Sequence, residues 1–205
     1  MKVLVIGPNN SGKGTLVNLL KEKTNFKAIC CSDVLKDYGM DTATGKLLPD
    51  SCVVRIMRNH LIDEEENNLI LDGFPRTLEQ DKFMNDALFE PDLVIVLNIS
   101  EEEVLSRAVG RRLCEKCGDS YNLNGFKLPE VDNICDKCGG KLYQRKDDSE
   151  EVVKARYNEY IKETFPIVTR YKYNPGKTVV WEFDTSQSTK EIAETVSNYI
   201  NYKLD

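Results

Sequence analysis

The stretch Gly7-Pro8-Asn9-Asn10-Ser11-Gly12-Lys13-Gly14-Thr15 constrains this chain more than any other. It follows Lys2–Ile6, an apolar run that reads as a buried strand, and it opens Gly12–Lys23, where Leu16, Leu19 and Leu20 recur on one helical face. The spacing is G-x4-G-K in the strand, turn and helix setting that this pattern needs. In that setting the backbone N–H groups of the turn form a concave cradle for an anion at a helix N-terminus. Lys13 adds the point charge for the β- and γ-phosphates of a nucleotide. Gly14 follows the lysine where many such loops carry Ser or Thr, and Thr15 comes one position later.

The rest of the chain alternates short apolar runs with longer helical ones. Phe26–Cys31 is a second strand, and Asp50–Glu66 a helix with Val53, Ile56, Met57 and Leu61 on one stripe. Leu69–Leu71 and Leu93–Leu97 are continuously apolar, the mark of strands covered on both faces. Leu78–Leu88 is helical between them. Ser100 begins the helix Glu101–Val109, and Glu103 three residues on completes a capping box. Glu150–Tyr171 reads as one long helix, Thr178–Phe183 as a strand with Trp181 in the core, and Thr189–Tyr202 as a last helix facing inward through Ile192, Val196, Tyr199 and Ile200. Strands alternating with helices imply an α/β three-layer sandwich on a parallel sheet of about five strands. At 205 residues the chain is one large domain or a core with insertions. The segment from Arg112 to Gln144, rich in Gly, Asn and Cys, breaks the alternation and reads as a small inserted lobe.

Four of the seven cysteines lie in that lobe, as Cys114-x2-Cys117 and Cys135-x2-Cys138 with seventeen residues between. Each pair is followed by glycine, Gly118 and Gly139, so that a tight turn can aim backbone amides at the sulfurs. Two such knuckles supply a tetrahedral S4 set for a structural Zn²⁺. The alternatives are a redox thiol pair or four small buried cysteines. Cys30, Cys31 and Cys52 lack such spacing and read as small hydrophobes.

A net charge of −6 argues against nucleic acid or an anionic membrane as a partner bound through bulk charge. No apolar run approaches the roughly 18 residues of a membrane span. Met1–Ile6 is too short for a signal-peptide core, so a cytoplasmic chain is expected, and a monomer. His60, the only histidine, reads as a helix-surface residue, and Asp63–Glu66 as a solvated helix end. Asp147-Asp148 is read as ordering the lobe's hinge by pairing with cations.

Several motifs together resemble the adenylate kinases, within the nucleoside monophosphate kinases, over nearly the whole chain. Gly12-Lys13-Gly14-Thr15 is similar to that family's form of the phosphate loop. Asp72-Gly73-Phe74-Pro75-Arg76-Thr77, with Gln80 beyond, resembles its acceptor-site signature. Gly110-Arg111-Arg112 and Tyr143-Gln144-Arg145-Lys146-Asp147-Asp148 bracket the insertion as in its zinc-bearing lids. The resemblance implies a Mg²⁺-dependent enzyme acting on ATP, AMP and ADP, with a core at 1–30, 48–110 and 146–205, a monophosphate-binding lobe at 31–47 and a lid at 111–145.

Residue by residue, the resemblance implies that Gly7, Asn10, Ser11, Gly12, Lys13, Gly14, Thr15, Arg107 and Arg111 bind ATP, with Arg107 stacked on the adenine. Asp72 would hold the Mg²⁺ hydration shell. Cys31, Lys36, Gly73, Arg76, Gln80, Arg145 and Arg156 would bind AMP, Arg76 on its phosphate and Gln80 on the base edge. Lys13, Arg76, Arg111, Arg145 and Arg156 would be the catalytic cations. Arginine suits that task, since its planar fork meets phosphate oxygens bidentately. The chain departs from the pattern in four places. Asn9 and Asn10 replace Pro-Gly in the loop, and the lobe from Cys31 to Leu47 is about a helix shorter. Cys31 and Lys36 stand where the family usually has Thr and Arg, and Asp184-Thr185-Ser186 stands where it tends to have Asp-Gly. The rivals are a UMP or CMP kinase and a zinc-stabilised nucleotide-binding module. Thr77 favours AMP over the pyrimidine monophosphates, whose kinases usually carry Asn there.

Overall fold

The computed structural model describes residues 1–40, 47–64, 68–87, 89–124 and 127–204. Residues 41–46 of the short lobe, Glu65 and Glu66 of the acidic run, and Leu88 at the expected end of the Leu78 helix lie outside them.

Five strands form one parallel sheet: β1 (Lys2–Ile6), β2 (Lys27–Cys30), β3 (Leu69–Asp72), β4 (Leu93–Asn98) and, at the end of the chain, β8 (Val179–Asp184). Their spatial order is β2-β3-β1-β4-β8. The period of two along a strand splits each apolar run between two cores. Leu4, Ile6, Leu69, Leu71, Val94 and Val96 face one side, against helices α2 (Cys31–Asp37), α3 (Asp50–Leu61), α4 (Leu78–Ala87) and α7 (Phe165–Tyr173). Val3, Val5, Ile70, Leu93, Ile95 and Leu97 face the other, against α1 (Lys13–Lys23) and α8 (Thr189–Leu204). The three-layer α/β sandwich expected from the sequence is therefore present. β8 is an edge strand, so Trp181 is half-buried, packed on Phe183 and Tyr199.

Several boundaries differ from the sequence reading. Cys31 leaves the strand and begins α2. The helix begun at Asp50 ends at Leu61 and tightens into a 3₁₀ turn, Ile62–Glu64. The expected single helix from Glu150 divides into α6 (Glu150–Glu159), a π-helical turn (Tyr160–Thr164) and α7. Pro166 accounts for this break: it offers no N–H to the carbonyl of Lys162, and its ring crowds that carbonyl.

Helix α5 (Glu101–Gly110), capped by Ser100 Oγ on the Glu103 N–H at 3.2 Å, leads into the insertion. There β5 (Arg111–Cys114), β6 (Ser120–Asn122) and β7 (Leu142–Tyr143) form an antiparallel sheet in the order β6-β5-β7. Its buried apolar cluster is Cys114, Tyr121, Cys135 and Leu142. Among the described residues no helix is long and apolar enough to cross a membrane.

Candidate active site

Parallel pairing brings the carboxyl ends of β1, β2 and β3 to one edge of the sheet, with Val5 and Cys30 both in register with Asp72. The phosphate loop rises there between β1 and α1. Asn10 and Gly12 adopt left-handed backbone, at φ 63° and 93°. The substitution of Asn in the loop thus falls on a residue type that tolerates this conformation. Gly7 is required by close approach, since a Cβ there would lie 2.7 Å from Ser11 Oγ and 3.1 Å from the Leu97 carbonyl. Lys13 folds back over the loop, donating from Nζ to the carbonyls of Gly7 at 2.7 Å and Pro8 at 2.8 Å. Removal from water pulls its ammonium down to about 8; Asp72 opposes the shift and Arg76 adds to it. Ser11 Oγ and Asn10 Oδ1 are buried without a hydrogen-bond partner. A buried hydroxyl without a partner is costly unless a ligand completes it, and Ser11 Oγ can donate to a phosphate oxygen.

Across the same edge lies the second group. Gly73 takes φ 77°, and a Cβ on it would come within 3.1 Å of the Arg76 guanidinium. Arg76 Nε donates to the Gly73 carbonyl at 2.9 Å, and the Arg76 backbone is held on both sides. Its N–H donates to Gln80 Oε1 at 2.8 Å, and its carbonyl accepts from Thr164 Oγ1 at 2.8 Å. Gln80 is buried; its Nε2 donates to Asp50 Oδ1 at 2.7 Å, and Thr77 Oγ1 donates to Asp50 Oδ2 at 2.9 Å. Cys31 is buried beside Gly73, where burial pushes its thiol up to about 12. Lys36 lies on the exposed face of α2, paired with Asp33 at 2.9 Å.

The arginines at the two ends of the lid meet a pair of aspartates. Arg111 Nε donates to Asp148 Oδ2 at 2.9 Å and its terminal nitrogen pairs with Oδ1; that carboxylate is 1% exposed. Arg145 and Arg156 share Asp147, with Nε of Arg145 at 2.8 Å from Oδ1 and a terminal nitrogen of Arg156 at 2.8 Å from Oδ2. Burial raises the Asp147 carboxyl, but the bonds from Arg156 and Arg145 outweigh it and hold it below the usual carboxylate range. The sequence reading of these two aspartates as cation partners in the hinge therefore holds. Arg107 donates to Glu103 Oε1 at 2.9 Å and to the Thr185 carbonyl at 2.7 Å, linking α5 to the loop after β8. Arg112 turns back onto the carbonyls of Val109 and Arg111.

Lys13, Asp72, Arg76 and Cys31 thus share the sheet edge, while Arg111, Arg145 and Arg156 gather at the lid hinge. Among the described residues no hydrogen bond or ion pair joins the two groups. The motifs did not single out Asp50 or Thr164. Asp50 offered only the signal of an acid in the first turn of a helix, and Thr164 is turned toward Arg76 by the π-helical turn.

In the lid, the sulfurs of Cys114, Cys117, Cys135 and Cys138 all lie within 4.8 Å of one another. Cys114 and Cys138 are 3.4 Å apart, and Cys117 and Cys135 3.6 Å. Four thiolates at about 2.3 Å from a tetrahedral Zn²⁺ sit about 3.8 Å apart, so the donor set fits that ion. Gly118 and Gly139 both take left-handed backbone, as the knuckle turns require. Gly140 approaches so closely that a Cβ would meet Cys114 Sγ at 2.7 Å. Tyr121, fully buried, donates its hydroxyl to Cys135 Sγ at 3.4 Å and accepts from the Asp136 N–H at 2.8 Å.

A glycine-rich loop at the switch of a parallel sheet, with Lys13, Asp72 and Arg76 beside it and an inserted lobe hinged on arginine–aspartate pairs, is the architecture of a P-loop phosphotransferase. A sequence model of the family Adenylate kinase matches residues 5–175. The chain is 34% identical to the adenylate kinase of Clostridium tetani, over 98% of each chain. It is 36% identical to that of Thermosipho africanus over 96% of this chain and 99% of the relative, and 34% identical to that of Caldicellulosiruptor saccharolyticus over the same shares. The chain belongs to the adenylate kinase family. The Clostridium tetani alignment runs over 216 positions, more than the 205 residues of this chain, so that relative carries residues this one lacks.

Proposed function

We propose that this chain transfers the γ-phosphoryl group of ATP to the phosphate of AMP, reversibly and with Mg²⁺, giving two molecules of ADP. The observation that carries this reading is the union of Lys13, Asp72 and Arg76 at one sheet edge, charge against charge, beside a loop with an orphaned buried hydroxyl. Phosphoryl transfer asks for positioning and for cancellation of charge on the equatorial oxygens, with little covalent chemistry from the protein. The loop amides and Lys13 hold the donor phosphates. Arg76, fixed by Gly73, Gln80 and Thr164, receives the acceptor phosphate. Gln80 reads the adenine edge of AMP, and Arg107 covers the donor adenine. When bound with ATP, Mg²⁺ would offset the charge of the phosphates, and Asp72 would hold its water shell.

Arg111, Arg145 and Arg156 complete the site when the lid closes. Their pairing with Asp147 and Asp148 holds three cations together at the hinge. Closure exchanges part of that pairing for the phosphoryl oxygens and excludes water. The four cysteines would hold a structural Zn²⁺ with all four donors from the protein, so it would take no part in the chemistry.

The test is ADP formation from MgATP with AMP, UMP and CMP in turn. AMP is expected to be the preferred acceptor. Preference for a pyrimidine monophosphate would move the chain to a neighbouring specificity, and nucleotide binding without turnover would leave a binding module.

A further inference from the structure

Resting on the reading of Gln80 as the adenine-facing residue, we propose that Asp50 is a specificity-determining positioning residue that fixes which way the Gln80 amide points. A glutamine amide carries an acceptor and a donor at its two ends, and turning it over exchanges them. Here both ends are committed. Oε1 receives the Arg76 N–H at 2.8 Å, and Nε2 donates to Asp50 Oδ1 at 2.7 Å. Turned over, the amide would set N–H against N–H and oxygen against a carboxylate. Asp50 is itself held from the other side by Thr77 Oγ1 at 2.9 Å, and Thr77 Oγ1 also accepts the Gln80 N–H at 3.2 Å. Asp50, Thr77 and Gln80 thus close one hydrogen-bond ring between α3 and the start of α4, and the Arg76 N–H bonds onto it at Gln80 Oε1. Asp50 comes from thirty positions earlier in the chain, so no local motif announces it.

These bonds use one lone pair of Oε1 and one hydrogen of Nε2. The second lone pair and the second hydrogen remain for a base edge. Adenine offers a donor at N6 and an acceptor at N1, and this fixed amide matches that pair. Hypoxanthine offers the reverse, a carbonyl at position 6 and an N–H at N1. The lock therefore selects AMP against IMP, a monophosphate of the same size and charge. It selects by leaving the wrong base with opposed dipoles, which discriminates more strongly than a missing contact.

The experiment compares kcat/KM for AMP and IMP, with MgATP as donor, in the unaltered enzyme and in Asp50→Ala, Asp50→Asn and Thr77→Val. Asp50→Ala frees one end of the amide, and the AMP-to-IMP ratio is expected to fall about tenfold. The KM for AMP should rise while that for ATP stays put. Asp50→Asn, whose Oδ1 still accepts from Nε2, should keep most of the ratio; Thr77→Val should lower it by about threefold. A helix-capping role alone would lower the melting temperature and leave the ratio unmoved. An unchanged ratio in Asp50→Ala, or in Thr77→Val should the first variant not fold, overturns the proposal. An unaltered enzyme that does not use AMP would instead overturn the reading on which it rests.

Discussion

Behind the phosphate loop, Leu4, Val5, Leu71, Ile95 and Val96 are almost wholly buried, in a sheet clothed by helices on both faces. The lid sheet rests on Cys114, Tyr121, Cys135 and Leu142, and two of those four are thiols at the candidate metal site. Lys13, Asp72 and Arg76 therefore stand on a frame held chiefly by burial, each buried aliphatic side chain contributing about 1.5–3 kcal/mol. A lobe the size of 111–145 falls below the roughly 40 residues at which a chain segment holds its shape without a disulfide, metal or partner. On the proposed reading, the core carries the charge that would meet the phosphates, and the lid carries cations that would arrive on closure. The lid's geometry would then depend on thiolate–metal bonds, which sets a site framed by packing against a cover framed by coordination.

The largest effect expected from this contrast comes from removing charge while leaving the frame intact. Lys13→Met should lower kcat/KM by about 10²-fold or more, as for other preorganised electrostatic groups, with the core and lid still folded. Near-normal turnover would show that the loop amides suffice without the lysine.

A smaller loss follows from removing the lid's frame while leaving the core charges in place. Cys135→Ser should lose about one zinc per chain by elemental analysis and give a separate low-temperature lid transition. Activity measured well below that transition should fall by about tenfold or less, since closure is impaired and the core site is not. Melting indistinguishable from that of the unaltered protein would mean that the lid's own packing holds it.

The smallest effect is a pH dependence confined to the core. Burial lowers Lys13 to about 8 from 10.5, so the free enzyme loses this charge as pH rises through about 8. kcat/KM for ATP, which reports the free enzyme, should decline with a one-proton slope above that point. Stability should move the other way. Between about 8 and 10.5 the unfolded chain holds the proton that the folded chain has released, so Lys13 makes folding more favourable as pH rises. A flat kcat/KM profile from pH 7 to 9.5 would place the ammonium back at its ordinary value.

What the sequence disclosed divides along the same line. The phosphate loop, the apolar strands and the two cysteine knuckles were legible because each concentrates its signal in a few adjacent residues. Asp147-Asp148 was legible as a cation partner because it lies beside Arg145 in the chain. The π-helical turn was not, since helical periodicity from Glu150 onward is uninterrupted and only Pro166 marks the break. Nor was Asp50, whose partners Thr77 and Gln80 reach it only through tertiary packing of α3 on α4. Cys31 read as a strand residue because its apolar character suits either setting; the register of β2 on β3 ends the strand one residue earlier.

Hydrogen exchange of the full chain, with and without a zinc-selective chelator, tests the contrast between packed core and coordinated lid most directly. Amides of β5, β6 and β7 are expected to lose protection when the metal is withdrawn, while those of β1, β3 and β4 exchange as slowly as before. Unchanged protection across the lid strands, or a loss that spreads equally through the parallel sheet, would contradict that contrast.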